Sequence, residues 1–100
     1  MKSPEQCTGL SDIREAIDDI DSKIVSLLGD RLRYVYAAAN FKPTEASIAA
    51  PDRVATMMVD RRAWAEKYGL SPDFVAGLFK DITDWYIATQ TAHWRAQRGS

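Results

Sequence analysis

Apolar residues recur in the first third of the chain at Leu10, Ile13, Ile17, Ile20, Ile24 and Leu27, in alternating steps of three and four. That alternation is one stripe on an α-helix, of the kind that seats a second helix. The register runs on through Arg31, Tyr34 and Ala38, with Val35 beside it, and Leu28 and Leu32 widen the face. No proline interrupts 11–39, and Gly29 weakens a helix there by about 1 kcal/mol relative to alanine. Thr8 or Ser11 is expected to cap the start, with Asp12 well placed in the first turn.

The period lapses from Asn40 to Ala50, where Lys42-Pro43-Thr44 and Ser47 read as a connecting loop, long for a helical hairpin. Pro51 suits the first position of a second helix through Val54, Met57, Met58, Arg61, Ala65 and Tyr68, which Gly69 is placed to end. Ser71-Pro72-Asp73 offers an N-cap, a first-position proline and a first-turn acid. The third helix then shows a stripe at Val75, Leu78, Ile82, Trp85, Thr89 and Ala92, with fraying expected at Arg98-Gly99-Ser100. No strand pattern emerges. The predicted fold class is all-α: one long and two shorter helices in a single domain over 1–100.

A helix over 11–39 is roughly 43 Å long, whereas a compact domain of this size is only about 30–35 Å across. Two shorter helices of the same chain cannot cover such a stripe. A second copy can, so the pattern predicts an intertwined homodimer with the first helices packed together.

Composition narrows the function classes. One hundred residues, 46% hydrophobic and 27% charged, suit one globular domain. Thirteen Lys+Arg against fourteen Asp+Glu leave a net charge of −1, without the basic footprint of a general nucleic-acid binder. Cys7 and His93 are the single cysteine and histidine, so neither a disulfide framework nor a conventional His/Cys metal centre is expected within one chain. The stretch Met1-Lys2-Ser3-Pro4-Glu5 leads into no signal-peptide core, and no apolar run reaches the roughly 20 residues of a membrane span. No membrane partner and a reduced, cytoplasmic location are expected.

Arg31 is the anomaly: it stands on the apolar seam. Lys42 follows the same helix in step with it, and Gln90 lies four residues beyond Tyr86 on one face of the third helix. Cations and amides directed into a bundle need partners, either acidic side chains or an anionic ligand. Taken singly, each residue has an ordinary explanation. Arg31 can pair with Asp30, Asp21 or a partner-chain acid. Arg14 and Arg53 suit water, Arg61-Arg62 a surface pair, His93 a helix face, and Trp64, Trp85 and Trp94 a core or its rim.

In combination the residues are more specific. The segments Asp12-Ile13-Arg14-Glu15-Ala16-Ile17-Asp18 and Ile20-Asp21 are followed by Leu28-Gly29-Asp30-Arg31 and Phe41-Lys42. Ala50-Pro51-Asp52-Arg53-Val54 and Trp85-Tyr86-Ile87-Ala88-Thr89-Gln90 complete the order. With these the chain resembles the all-α, AroQ-type chorismate mutase family, and within it the branch of isochorismate pyruvate lyases. The resemblance runs from about Pro4 to Arg98. It implies an intertwined dimer with a pocket lined by Arg31, Lys42, Arg53, Tyr86 and Gln90 of one protomer and Arg14 of the other. The ligand implied is a cyclohexadiene with a ring carboxylate and an enolpyruvyl ether carboxylate, handled with no cofactor and no metal. Lys42 and Gln90 are the implied catalytic pair at the ether oxygen.

Three positions depart from the mutase pattern. Val54 and Ala50 stand where acids are expected, and Tyr86 stands where a small hydroxyl residue is expected. These departures match the lyase branch, which implies isochorismate as substrate and salicylate as product, with secondary conversion of chorismate to prephenate. A dedicated chorismate mutase and a non-enzymatic helical dimerisation module are the alternatives. The 40–50 segment reads either as a gate carrying Lys42 or as a plain connector.

Overall fold

A computed structural model describes residues 2–98, and among them the regular structure is all helical. A short 3₁₀ turn, Pro4–Gln6, precedes α1 (Leu10–Ala39); a second, Glu45–Ile48, precedes α2 (Pro51–Lys67) and α3 (Pro72–Gln97). The fraying expected at Gly99-Ser100 lies outside the described residues. The chain divides into two compact units, one up to Tyr34 and one from Val35 onward.

In the first unit, α1 starts one residue earlier than Ser11, which places Asp12 at its third position. The Asp12 carboxylate accepts the Thr8 N–H and the Thr8 hydroxyl, both at 3.0 Å, and the Lys2 ammonium at 3.1 Å. Thr8 therefore donates where the sequence suggested that Thr8 or Ser11 would accept. An acid at the third position can reach back to an N–H ahead of the helix, as one arm of a capping box does. The Thr8 N–H, then the Lys2 ammonium and the Thr8 hydroxyl, hold the Asp12 carboxyl below its ordinary pKa. The seam beyond it stays open to solvent: Leu10, Ile13, Ile20 and Ile24 are exposed, as are Ile17 at 50% and Leu27 at 64%.

The second unit contains the end of α1, the 3₁₀ turn, α2 and α3. Its core comprises Ala39, Ile48, Met57, Ala65, Val75 and Tyr86, with Thr83 and Gln90 buried among the polar residues. Helix α2 begins at Pro51 behind Ala50, which adopts the left-handed conformation at φ 40°. It ends as the sequence predicts. Gly69 takes φ 74°, its N–H meets the Glu66 carbonyl at 3.2 Å, and the Leu70 N–H reaches Ala65 at 2.8 Å. That pair of bonds is a Schellman motif, which satisfies carbonyls the helix leaves open. Ser71 caps α3 by accepting the Phe74 N–H at 3.2 Å, and Arg62 pairs with Asp73 at 2.8 Å across the junction.

Three sequence expectations need correction here. The buried face of α3 is Val75, Thr83, Tyr86 and Gln90, which shares only Val75 with the predicted stripe; of the stripe's other members Leu78 is exposed and Trp85 is 57% exposed. Helix α2 and the 3₁₀ turn pack on α3, and the face they cover is set by those neighbours, not by where the bulkiest apolar residues lie. Trp64 and Trp85 are accordingly not core residues, whereas Trp94 is half-buried. Arg61 is not a surface residue either: it is half-buried, with its guanidinium 4.6 Å from the Trp64 ring centroid and 5.4 Å from that of Phe79.

Candidate active site

Lys42 lies three residues past the end of α1, in a segment that unwinds through three tight backbone bonds. Asn40, Phe41 and Lys42 donate to the carbonyls of Ala37, Ala38 and Ala39 at 3.2, 3.0 and 3.2 Å. The Lys42 carbonyl then accepts two donors, the Trp94 indole N–H of α3 and the guanidinium of Arg98, which caps that helix, each at 3.0 Å. Its half-buried ammonium donates to the Ser47 carbonyl at 3.3 Å. The segment from 40 to 50 makes further contacts of its own. The Ser47 hydroxyl donates to the Thr44 carbonyl at 2.6 Å, Ile48 is buried, and Glu45 forms an ion pair with Arg95.

Helix α3 supplies the facing side. Thr83, Tyr86, Gln90 and Trp94 follow at steps of three, four and four, so they share one face. Gln90 is 6% exposed. Its amide nitrogen donates to the Val35 carbonyl at 2.9 Å, which fixes the amide's orientation and leaves its second N–H for another acceptor. Tyr86 is buried, edge-on to the Trp85 ring at 5.2 Å between centroids. His93 packs its ring against Tyr36 at 4.4 Å, a helix-face role as the sequence suggests. Val35 and Lys42 are thus both held by α3, one through Gln90 and the other through Trp94 a turn later.

Arg53 stands in the first turn of α2 with its side chain exposed. Arg14, exposed, and Arg31, half-buried, belong to the unit up to Tyr34. Of the six residues named from sequence, the second unit carries Lys42, Arg53, Tyr86 and Gln90. The structure ties Lys42 to the α3 face of Gln90 and Tyr86. Sequence reasoning did not find Trp94 and Arg98. The available signal was the spacing of Trp94, four residues beyond Gln90, which places an indole donor on the same face. Among the described residues no three His, Cys, Asp or Glu side chains gather as a metal ion requires. Nor is any helix of them long and apolar enough to cross a membrane.

Among the described residues the regular structure is helices without strands, with Gln90 of α3 bonded to Val35 and Trp94 to Lys42. Residues 13–91 match the chorismate mutase type II family, and the chain belongs to that family. Along all 100 residues it is 58% identical to the isochorismate pyruvate lyase of Pseudomonas aeruginosa, covering 99% of that protein. It is also 31% identical over 74 residues to the T-protein of Enterobacter agglomerans and 33% identical over 72 residues to that of Haemophilus influenzae. Those stretches take in 73% and 71% of this chain but only 20% and 19% of the two T-proteins.

Proposed function

We propose that this chain is an isochorismate pyruvate lyase, releasing pyruvate from isochorismate to leave salicylate, with a weaker chorismate mutase activity that yields prephenate. The observation that carries the reading is the 58% identity along the whole chain to a protein bearing that name. The residues supply a consistent chemistry. Arg14, Arg31 and Arg53 hold the two carboxylates, since a guanidinium stays charged and donates two parallel hydrogen bonds to a carboxylate. Lys42 and the free N–H of Gln90 face the ether oxygen. As the ether C–O bond breaks, a ring hydrogen passes to the enolpyruvyl methylene, the ring becomes aromatic, and the departing fragment is pyruvate. Negative charge grows on the ether oxygen during this step, so fixed donors there stabilise the transition state more than the ground state. No nucleophile or cofactor is needed. The rest of the rate comes from holding the enolpyruvyl arm folded over the ring.

Substrate choice follows from missing acceptors. Val54 and Ala50 offer no carboxylate to a ring hydroxyl, and Tyr86 fills space where a small residue would admit one. A chorismate hydroxyl left unpaired in such a pocket weakens binding of that substrate. The reading includes a single domain over 1–100, acting in the cytoplasm as a homodimer. A second copy covers the open α1 seam, and its Arg14 enters the neighbouring site.

The test offers isochorismate and chorismate separately to the purified protein. Salicylate fluorescence with one pyruvate per turnover is expected from the first, and its absence overturns the reading. A family match to chorismate mutases favours the second reading, a dedicated mutase, which a much higher kcat/KM on chorismate would select. Lys42→Ala is expected to lower kcat for salicylate formation by about 10²–10³.

A further inference from the structure

We infer that Trp94, in the last turn of α3, and Arg98, which caps that helix, are positioning residues that set where the Lys42 ammonium reaches by holding the Lys42 backbone carbonyl. The inference rests on the reading of Lys42 as a group that acts on substrate. A lysine tip sits at the end of four rotatable bonds, so any freedom of its Cα is added to the freedom of the side chain. Chain that has just left a helix is where such freedom is greatest, because its carbonyls have no helical partners. At Lys42 both backbone groups are nevertheless engaged: the N–H by Ala39 at 3.2 Å, and the carbonyl by Trp94 and Arg98 at 3.0 Å each.

The two donors form a unit. The Arg98 guanidinium lies 4.4 Å from the Trp94 ring centroid, so stacking orients it toward the same oxygen the indole N–H meets. An indole can only donate, and a carbonyl oxygen has two lone pairs, so the oxygen is saturated and the indole has one use here. Arg95, between them, pairs with Glu45 and fastens the following 3₁₀ turn to the same helix end. Against these bonds the ammonium has one 3.3 Å contact, to the Ser47 carbonyl. That contact is the one a substrate oxygen can replace without disturbing the tether.

Trp94→Phe removes the N–H and keeps an aromatic ring, and Arg98→Ala, at an exposed position, is a second variant that removes the other donor and its stacking but no core side chain. Each is expected to speed amide exchange at Lys42 and Ser47 by about tenfold, with the α2 interior unchanged. Each should also lower kcat by about tenfold with KM within about twofold, the pattern of a misplaced group that acts in the transition state. In a Lys42→Ala background neither substitution should reduce the residual turnover further. Unchanged exchange and kcat in both variants, beside an inactive Lys42→Ala, overturn the tether alone. An equal fold-loss in the Lys42→Ala background overturns the assignment to Lys42. Full turnover by Lys42→Ala itself overturns the functional reading on which the inference stands.

Discussion

Thr83 and Asp12 show how far a side chain's worth depends on what meets it. The Thr83 hydroxyl is buried, the residue being 7% exposed, and its oxygen has no hydrogen-bond partner. Other helix threonines behave differently: Thr56 and Thr91 donate back to the carbonyls of Asp52 and Ile87 at 3.0 and 2.8 Å. A buried hydroxyl without a partner costs about 1–3 kcal/mol, and valine has nearly the same shape. Thr83→Val is therefore expected to raise the melting temperature by about 4–8 °C per kcal/mol recovered, at fixed protein concentration. A lowered melting temperature would show that the hydroxyl is satisfied. At Asp12 the sign runs through pH. Its folded carboxyl pKa is depressed, first by the Thr8 N–H, so its contribution is complete above the unfolded value and fades as pH falls through the folded one. Asp12→Asn should flatten that acid limb of stability and leave the curve near neutral pH parallel to wild type, as pH-resolved denaturant titrations can show.

At the scale of elements, helix ends were legible and helix faces were not. Pro51, Gly69, Ser71 and Pro72 fix their boundaries through local backbone chemistry, which a sequence displays directly. The buried face of α3 depends on which neighbour packs on it, so Thr83 and Gln90 go inside while Trp85 stays out. The site divides in the same way. Lys42 and Gln90 were named through the family resemblance of an ordered set of residues, but the bond from Trp94 to Lys42 spans 52 residues and has no counterpart in that set. One junction also invites improvement. Ala50 holds φ 40° as the residue capping α2 and offers no side-chain acceptor, although left-handed backbone and N-cap positions both favour asparagine. Ala50→Asn is expected to stabilise the protein by about 1 kcal/mol, read from the shift in denaturant midpoint at constant slope; a fall in the midpoint would count against it.

For the molecule as a whole, the decisive feature is the open apolar seam of α1 from Leu10 to Leu27. Its leucines and isoleucines are 41–64% exposed, so covering each with the second copy proposed above would contribute about half of the roughly 1.5–3 kcal/mol that full burial brings. If Arg14 serves the site of the other protomer and Arg31 serves its own, two inactive variants complement each other. Arg14→Ala mixed with Arg31→Ala, unfolded and refolded together, gives heterodimers with one intact site of two. At statistical pairing the mixture should recover roughly a quarter of wild-type turnover. No recovery would place both arginines in one chain's site or neither.

The tether on Lys42 alters what counts as the minimal unit of this fold. The family match ends at residue 91, and Arg14, Arg31, Lys42, Arg53, Tyr86 and Gln90 all precede that limit. Trimming to the matched span would keep all six residues proposed to face the ligand and discard both Trp94 and Arg98. Such a fragment would hold the right alphabet with one letter loose. Affinity handles, fusions and library designs that treat the final helical turn as disposable tail would be editing chemistry carried out fifty residues upstream.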